Sequence, residues 1–354
     1  MADGRDGHVP VLLDEVVGLL DPRPGDRYAD LTAGLGGHAS AVAERLGGNG
    51  LMVLNDLDGG NLERAGKNVR AAGRRPPCDV EGGGGRRASR FGVSGWPEVR
   101  ARRGSFAELP FDPDLDGVSF DCVLADLGFA SNQVDDPGRG LSFREDGPLD
   151  MRLDPDGPVT AAEIVNETPE RDLADLIYRY GEERASRRVA SAIVRRRRER
   201  RFEGTQDLAE VVRKAVPGGG RGSGRQRIDG ATRTFQALRI AVNGELEMLE
   251  SLLASIEVGA RAAVEGRAGW LAAGARVALI SFHSLEDRPI KRAFAAMEQA
   301  GLGRRLTRKP VVAGEAESAL NRRARSAKLR GFSVGGGGGE KGEKEWSGGG
   351  SAGR

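Results

Sequence analysis

The sequence predicts an α/β fold in which a doubly wound sheet is interrupted by an all-helical insert. Three observations carry that reading. Short apolar runs ending on a polar residue alternate with segments of helical period across residues 9–133. A further apolar run, RVALISF at 276–282, resumes the pattern late in the chain. Between them, from 134 to 230, only helical periodicities occur. Strands alternating with helices form parallel sheets covered on both faces, and such sheets bind ligands at their carboxyl edge.

The elements follow in order. Residues 9–20 (VPVLLDEVVGLL) repeat apolar side chains at helical spacing. Residues 27–31 form a short strand that runs into a glycine turn, and 40–46 continue as a helix. The run 51–54 is a second strand ending near Asp56, with a helix at 61–69. VSFDCVL at 118–124 is a buried strand that closes at Asp126. Inside the insert, 161–166, 170–180, 185–201 and 206–215 read as helices. A long helix is expected over 233–247, with Phe235, Leu238, Val242 and Leu246 on one face and Leu249 continuing it. The expected domains are therefore a sheet domain built from 1–133 and 231–330, and a helical, substrate-facing domain at 134–230. Residues 73–97 read as a flexible inserted loop and 217–230 as a glycine-rich linker. The tail 331–354 holds eleven glycines and little to bury, so disorder is expected there.

Composition narrows the function classes. In 354 residues, 54 Lys and Arg nearly cancel 52 Asp and Glu, so any electrostatic footprint must be local. Two cysteines, Cys78 and Cys122, exclude a disulfide framework and fit a reducing compartment. No apolar run approaches the ~18 residues of a membrane span, and the N-terminus MADGRDGH lacks a signal-peptide core. The expectation is a cytoplasmic protein with no membrane partner. His8, His38 and His283 show no metal-ligand spacing, so no metal is expected, and no nucleophile elbow is present. The oligomeric state stays open, a homodimer included.

The sharpest local signal is DLTAGLGGH at 30–38. Gly34, Gly36 and Gly37 allow a tight turn and close backbone approach before a helix begins. Asp56 follows about twenty residues on, at a strand end, where a carboxylate accepts ribose hydroxyls or merely caps a loop. A nicotinamide-dependent oxidoreductase would share this sheet and acid, but it needs a GxGxxG turn, which is missing. A nucleoside cofactor without a pyrophosphate needs only the close approach. Asp126 closes a later strand and opens a polar turn with Gly128, Ser131, Asn132 and Gln133, a composition that any loop also offers. Arg233, Gln236, Arg239 and Asn243 share a helix stripe that faces either nucleic acid or water, while His283 and Ser284 follow a strand. Eight arginines between 187 and 201, with Glu199 the sole acid, favour phosphate contact, with Arg195, Arg197 and Arg198 as candidates.

HVPVLLDEVV at 8–17, DLTAGLGGH, DLGFASNQVDDPGRGLSF with GPLDMR, TRTFQALRIAVNGELE, ISFHSLEDR and RRARSAKLR occur in one order. Together they closely resemble the bacterial 16S ribosomal RNA (cytosine-N4) methyltransferase family, over residues 8 to about 330 apart from the inserted loop. The resemblance implies a class I, Rossmann-like S-adenosylmethionine-dependent methyltransferase sheet with an inserted helical domain. It implies S-adenosylmethionine as methyl donor and 16S ribosomal RNA of the small ribosomal subunit as substrate, methylated on a decoding-centre cytidine. It assigns Gly36, Gly37, His38, Asp56, Phe106, Asp126 and Gln133 to the cofactor, with Phe106 against the adenine. The acceptor for the amine of the target base is Asp126 or a carbonyl of the Gly128–Gln133 loop; Asp126 is the candidate catalytic residue, with a role in cofactor binding alone as the alternative. The chain departs from the family at Leu57 and Gly59, and at Phe129, Ala130 and Asn132. Ala130 removes a hydroxyl near the expected target site. A non-catalytic RNA-binding assembly factor on the same fold is the remaining alternative; it would have no need of an intact cofactor loop.

Overall fold

The computed structural model describes residues 10–73, 95–218 and 229–335. The inserted loop apart from its ends, the centre of the linker, His8 and the tail beyond Gly335 lie outside the described residues. The chain divides into two compact units. One comprises residues 1–128 and 248–354, the other 129–247.

In the first unit, α1 (Leu13–Leu20) leads to β1 (Arg27–Asp30), α2 (Gly37–Leu46), β2 (Leu51–Asp56) and α3 (Gly59–Ala72). β3 (Glu98–Arg103) and β4 (Phe120–Asp126) follow. After the second unit come β5 (Leu271–Ser281), α11 (Ser284–Gln299), β6 (Gly303–Arg305), α12 (Glu315–Leu320) and β7 (Lys328–Val334). The seven strands form one sheet in the order β3-β2-β1-β4-β5-β7-β6. β1 to β5 are parallel, while β7 runs antiparallel to both β5 and β6. Val16, Leu20, Val42, Leu46, Ala65 and Val69 bury one face, joined by Met52, Leu54 and Leu124 of the strands. Ile256, Ile290 and Phe294 pack on the other, against Val123, Val277 and Phe332.

The second unit is helical: α4 (Ser131–Asp135), α5 (Ala161–Glu167), α6 (Glu170–Gly181), α7 (Ser186–Arg197), α8 (Thr205–Ala215) and α9 (Thr232–Asn243). α10 (Glu245–Val264) carries the chain back towards the sheet unit. Its core gathers Leu173, Ile177, Val189, Ile193, Leu208, Val212 and Phe235. Among the described residues no helix is long and apolar enough to cross a membrane.

Several expectations are corrected. The helical unit spans 129–247 rather than 134–230, because α9 supplies Phe235 and Leu238 to its core. The helix expected over 233–247 breaks at Gly244, whose φ of 60° lies in the left-handed region and closes α9 with an N–H bond to Ile240 O. The helix expected over 185–201 ends at Arg197, and the one over 9–20 begins only at Leu13, after Leu12 with φ 54°. Residues 331–334, expected in a disordered tail, form the end of β7, where Phe332 and Val334 are buried. β3 escaped the sequence reading because EVRARR has no apolar run; it is an edge strand that buries no residue.

Candidate active site

The strand order reverses direction between β1 and β4, the switch point at which an open parallel sheet leaves a crevice beyond its strand ends. The turns leaving β1, β2, β3 and β4 are stitched together there. Asn55, fully buried near the end of β2, donates from Nδ2 to Leu31 O after β1 and to Gly104 O after β3, both at 2.9 Å. The Gly34 N–H donates to Asp56 Oδ2 at 2.8 Å, and the Asp58 N–H to Asp56 Oδ1 at 2.8 Å. The Asp126 N–H donates to Thr32 Oγ1 at 2.7 Å. Asp58 in turn caps α3, accepting from the Gly60 and Asn61 N–H groups. The N-cap is thus kept between the two departures from the family, Leu57 and Gly59.

Two acceptor atoms at this edge are buried with no hydrogen-bond partner among the described residues: Asn55 Oδ1 and Asp126 Oδ1. An orphaned buried acceptor costs about 1–3 kcal/mol and calls for a donor. Burial pushes the Asp126 carboxyl up from 3.8 to about 7; the Arg323 charge pulls it down and the Glu286 carboxylate adds to the rise. A perturbed carboxyl in a crevice at a sheet switch point marks a functional site. Asn55 was missed by sequence reasoning; its only signal is its place beside Asp56.

The glycine turn also has a packing role. A Cβ on Gly36 would stand 2.9 Å from Ala65 Cα, and one on Gly37 would stand 2.3 Å from Pro10 Cγ. Their smallness thus lets α2 pack against α3 and against the segment before α1. The His38 side chain is buried and donates from Nε2 to Val11 O at 2.9 Å, tying down that same segment. Burial lowers its pKa, against the opposing pull of Asp30, whose own carboxyl is raised by burial to about 6. Phe106, two residues past Gly104, is buried in the core with Leu109 and Leu115. His283 precedes α11 with its Nε2 3.3 Å from Glu286 Oε1, and Ser284 opens that helix.

The remaining candidates lie in the helical unit. Gln133, buried in α4, accepts the Ala130 N–H at 2.9 Å through Oε1. Arg195 and Arg198 are exposed, while Arg197 donates to Val165 O at 2.7 Å. Arg196 forks onto Asp207, and Arg201 meets Glu167 at 2.8 Å. Arg233 is exposed with Glu183 at 3.8 Å, and Gln236 donates to Tyr180 O at 3.2 Å. Arg239 forms a two-bond fork with Glu245, both at 2.7 Å, and its guanidinium lies 4.8 Å from the Phe129 ring centre. Asn243 holds Met151 O and Arg239 O and accepts the Leu153 N–H, so it locks the DMR segment to α9.

The chain matches the family model described as the MraW methylase family over residues 5–80 and 94–334. It is 43% identical over 323 residues to the ribosomal RNA small subunit methyltransferase H of Koribacter versatilis, covering 91% of this chain and 92% of that protein. With the protein of the same name from Acidobacterium capsulatum it shares 44% identity over 326 residues, covering 92% and 98%. The Synechocystis protein of that name is 43% identical over 323 residues, with 91% and 92% covered.

Proposed function

The chain belongs to the MraW methylase family, and from that membership we propose that it methylates the N4 amine of a decoding-centre cytidine in 16S ribosomal RNA, working in the cytoplasm. S-adenosylmethionine, when bound, supplies an electrophilic methyl group on a sulfonium. The residues at the carboxyl edge fit such a group. Asp56 stands at the end of β2 with its carboxylate oriented by the Gly34 and Asp58 N–H groups, the place where a carboxylate accepts ribose hydroxyls. Asn55 Oδ1 and Asp126 Oδ1 are acceptors awaiting N–H or O–H donors.

The target amine is a weak nucleophile because its lone pair is delocalised into the pyrimidine ring. What the protein can do is orient that nitrogen and accept its N–H bonds, so catalysis rests on positioning and electrostatics. The single observation that carries the reading is Asp126: a carboxyl at the switch point with one buried oxygen unsatisfied and a pKa raised to about 7. A donor arriving at that oxygen favours the ionised form, which in turn accepts the bond more strongly. A cytidine inside a stacked helix cannot reach a strand end, so the base is expected to leave its stack.

The test is calorimetric titration of S-adenosylmethionine into the wild type and Asp56→Ala. Loss of charge-assisted bonds to the ribose is expected to weaken binding by about 1.5–3 kcal/mol. Equal affinities in two folded proteins would refute the assignment. The oxidoreductase alternative lacks its GxGxxG turn, and the purely RNA-binding alternative has no use for the orphaned acceptors at the sheet edge.

A further inference from the structure

Residues 284–330 carry twelve Lys and Arg against five Asp and Glu, a net charge of +7 in a chain whose total is +2. Part of this is consumed locally: Arg330 and Lys328 stand 2.6 and 3.7 Å from Asp287, and Arg305 donates to Glu298 from its backbone N–H and its Nε. The short 3₁₀ turn Arg322–Ser326, between α12 and β7, is different. Ala324 and Ala327 anchor it in the core at 1% exposure each, while Arg322 and Arg325 face outward. Asn321 accepts the Arg323 N–H at 3.1 Å and Arg325 donates from Nε to Ser318 O at 2.9 Å, which fixes the turn and one of its side chains. Arg322 and Arg325 are exposed, and neither meets an acid among the described residues.

The position of this turn gives the charge its meaning. The Arg323 guanidinium lies 5.8 Å from the centre of the Phe282 ring, just past the end of β5, and its charge acts on Asp126. The turn therefore stands at the same carboxyl edge as the site. The arginine run of α7 is engaged in part, Arg196 by Asp207, Arg197 by Val165 O and, beyond the helix, Arg201 by Glu167, while Arg187, Arg188, Arg195 and Arg198 are exposed.

We propose that the 3₁₀ turn Arg322–Ser326 is a phosphate clamp for the substrate RNA, with Arg322 and Arg325 holding the backbone of the strand whose base is presented to the Asp126 edge. This rests on the reading of RNA as the substrate. A base withdrawn from its stack leaves its own phosphates at the rim of the pocket, so cations fixed beside the reacting edge hold the strand where it must be held. Arginine suits the role because its planar fork matches a phosphate.

The experiment is a salt titration of binding between the full chain and a 16S rRNA fragment containing the decoding-centre cytidine. It compares the wild type, Arg322→Gln/Arg325→Gln, and Arg322→Lys/Arg325→Lys. Two lost single-strand phosphate contacts should flatten log affinity against log salt by about 1.4, which is a roughly 25-fold loss at ~0.1 M salt. The lysine pair keeps both charges and should retain most of the slope. S-adenosylmethionine affinity should be unchanged in both, and the melting temperature should fall by no more than a few degrees on loss of the exposed Arg325–Ser318 bond. A glutamine variant with wild-type slope and affinity overturns the clamp while leaving the RNA reading intact. A wild type that binds no rRNA fragment overturns the substrate reading and the clamp together.

Discussion

Asp126→Asn separates the stability of this protein from its function. Burial raises the Asp126 carboxyl from 3.8 to about 7, with Glu286 adding to the rise and Arg323 opposing it. The folded state therefore holds this proton more tightly than the unfolded chain does. Its contribution to stability is fully present below pH ~4 and is lost as pH rises to ~7. At 1.36 kcal/mol per tenfold change, the full cost of ionising it in place is about 4 kcal/mol. The residue is only partly buried, although Oδ1 is enclosed, so solvent screening reduces this to about 2 kcal/mol. Asparagine has nearly the same shape and does not titrate. The ligand-free variant should thus gain on the wild type by about 1–2 kcal/mol between pH 5 and pH 8.5, which is a few degrees in melting temperature. Methyl transfer by the variant should fall sharply over the same range. Thermal unfolding at four or five pH values gives the answer. A stability difference that does not grow with pH would refute the argument that this carboxyl is held desolvated.

Three other substitutions test the frame around the site. Gly37→Ala places a methyl 2.3 Å from Pro10 Cγ and should cost about 1–3 kcal/mol in urea unfolding; an unchanged midpoint would show that the segment yields freely. His38→Ala removes the buried bond to Val11 O and should cost about 1–3 kcal/mol. S-adenosylmethionine affinity should then change less than threefold; a complete loss of binding would make the imidazole a ligand instead. Phe332→Ala empties a fully buried site against Phe294, whose ring centre is 5.3 Å away, and should destabilise by about 3–5 kcal/mol. A cost below about 1 kcal/mol would mean that β7 is dispensable.

What the sequence made legible, and what it hid, follows from local chemistry. β1, β2 and β4 could be read because each is a short buried run stopped by a carboxylate, at Asp30, Asp56 and Asp126. β3 and β6 are polar edge strands of the sheet and carry no such run. The end of β7 was masked by its composition, since Gly331 and the glycines after Val334 look like a tail while Phe332 is core. The helix of α9 was read through Gly244 because apolar periodicity continues across it; only a left-handed φ interrupts the chain there. The carboxylates of the site were visible as types and spacings, but their states were not. No pattern in the sequence shows that Asp126 Oδ1 is left without a donor, or that Asn55 ties two strand ends together. Gly36 and Gly37 were recognised as a close approach, yet their nearest neighbours are Ala65 and Pro10. The arginine run was legible as charge, whereas the engagement of Arg196, Arg197 and Arg201 by Asp207, Val165 and Glu167 depends on residues eleven to thirty-four positions away.

The central claim is tested most directly by incubating the purified protein with S-adenosylmethionine carrying a labelled methyl group and small ribosomal subunits from cells lacking the modification. The RNA is then digested to nucleosides and weighed by mass spectrometry. The account predicts label in N4-methylcytidine at a single decoding-centre position, and roughly ten- to a hundredfold less when Asp56→Ala replaces the wild type at low donor concentration. Label on another atom or base, or no transfer by a folded protein that binds the donor, would contradict it.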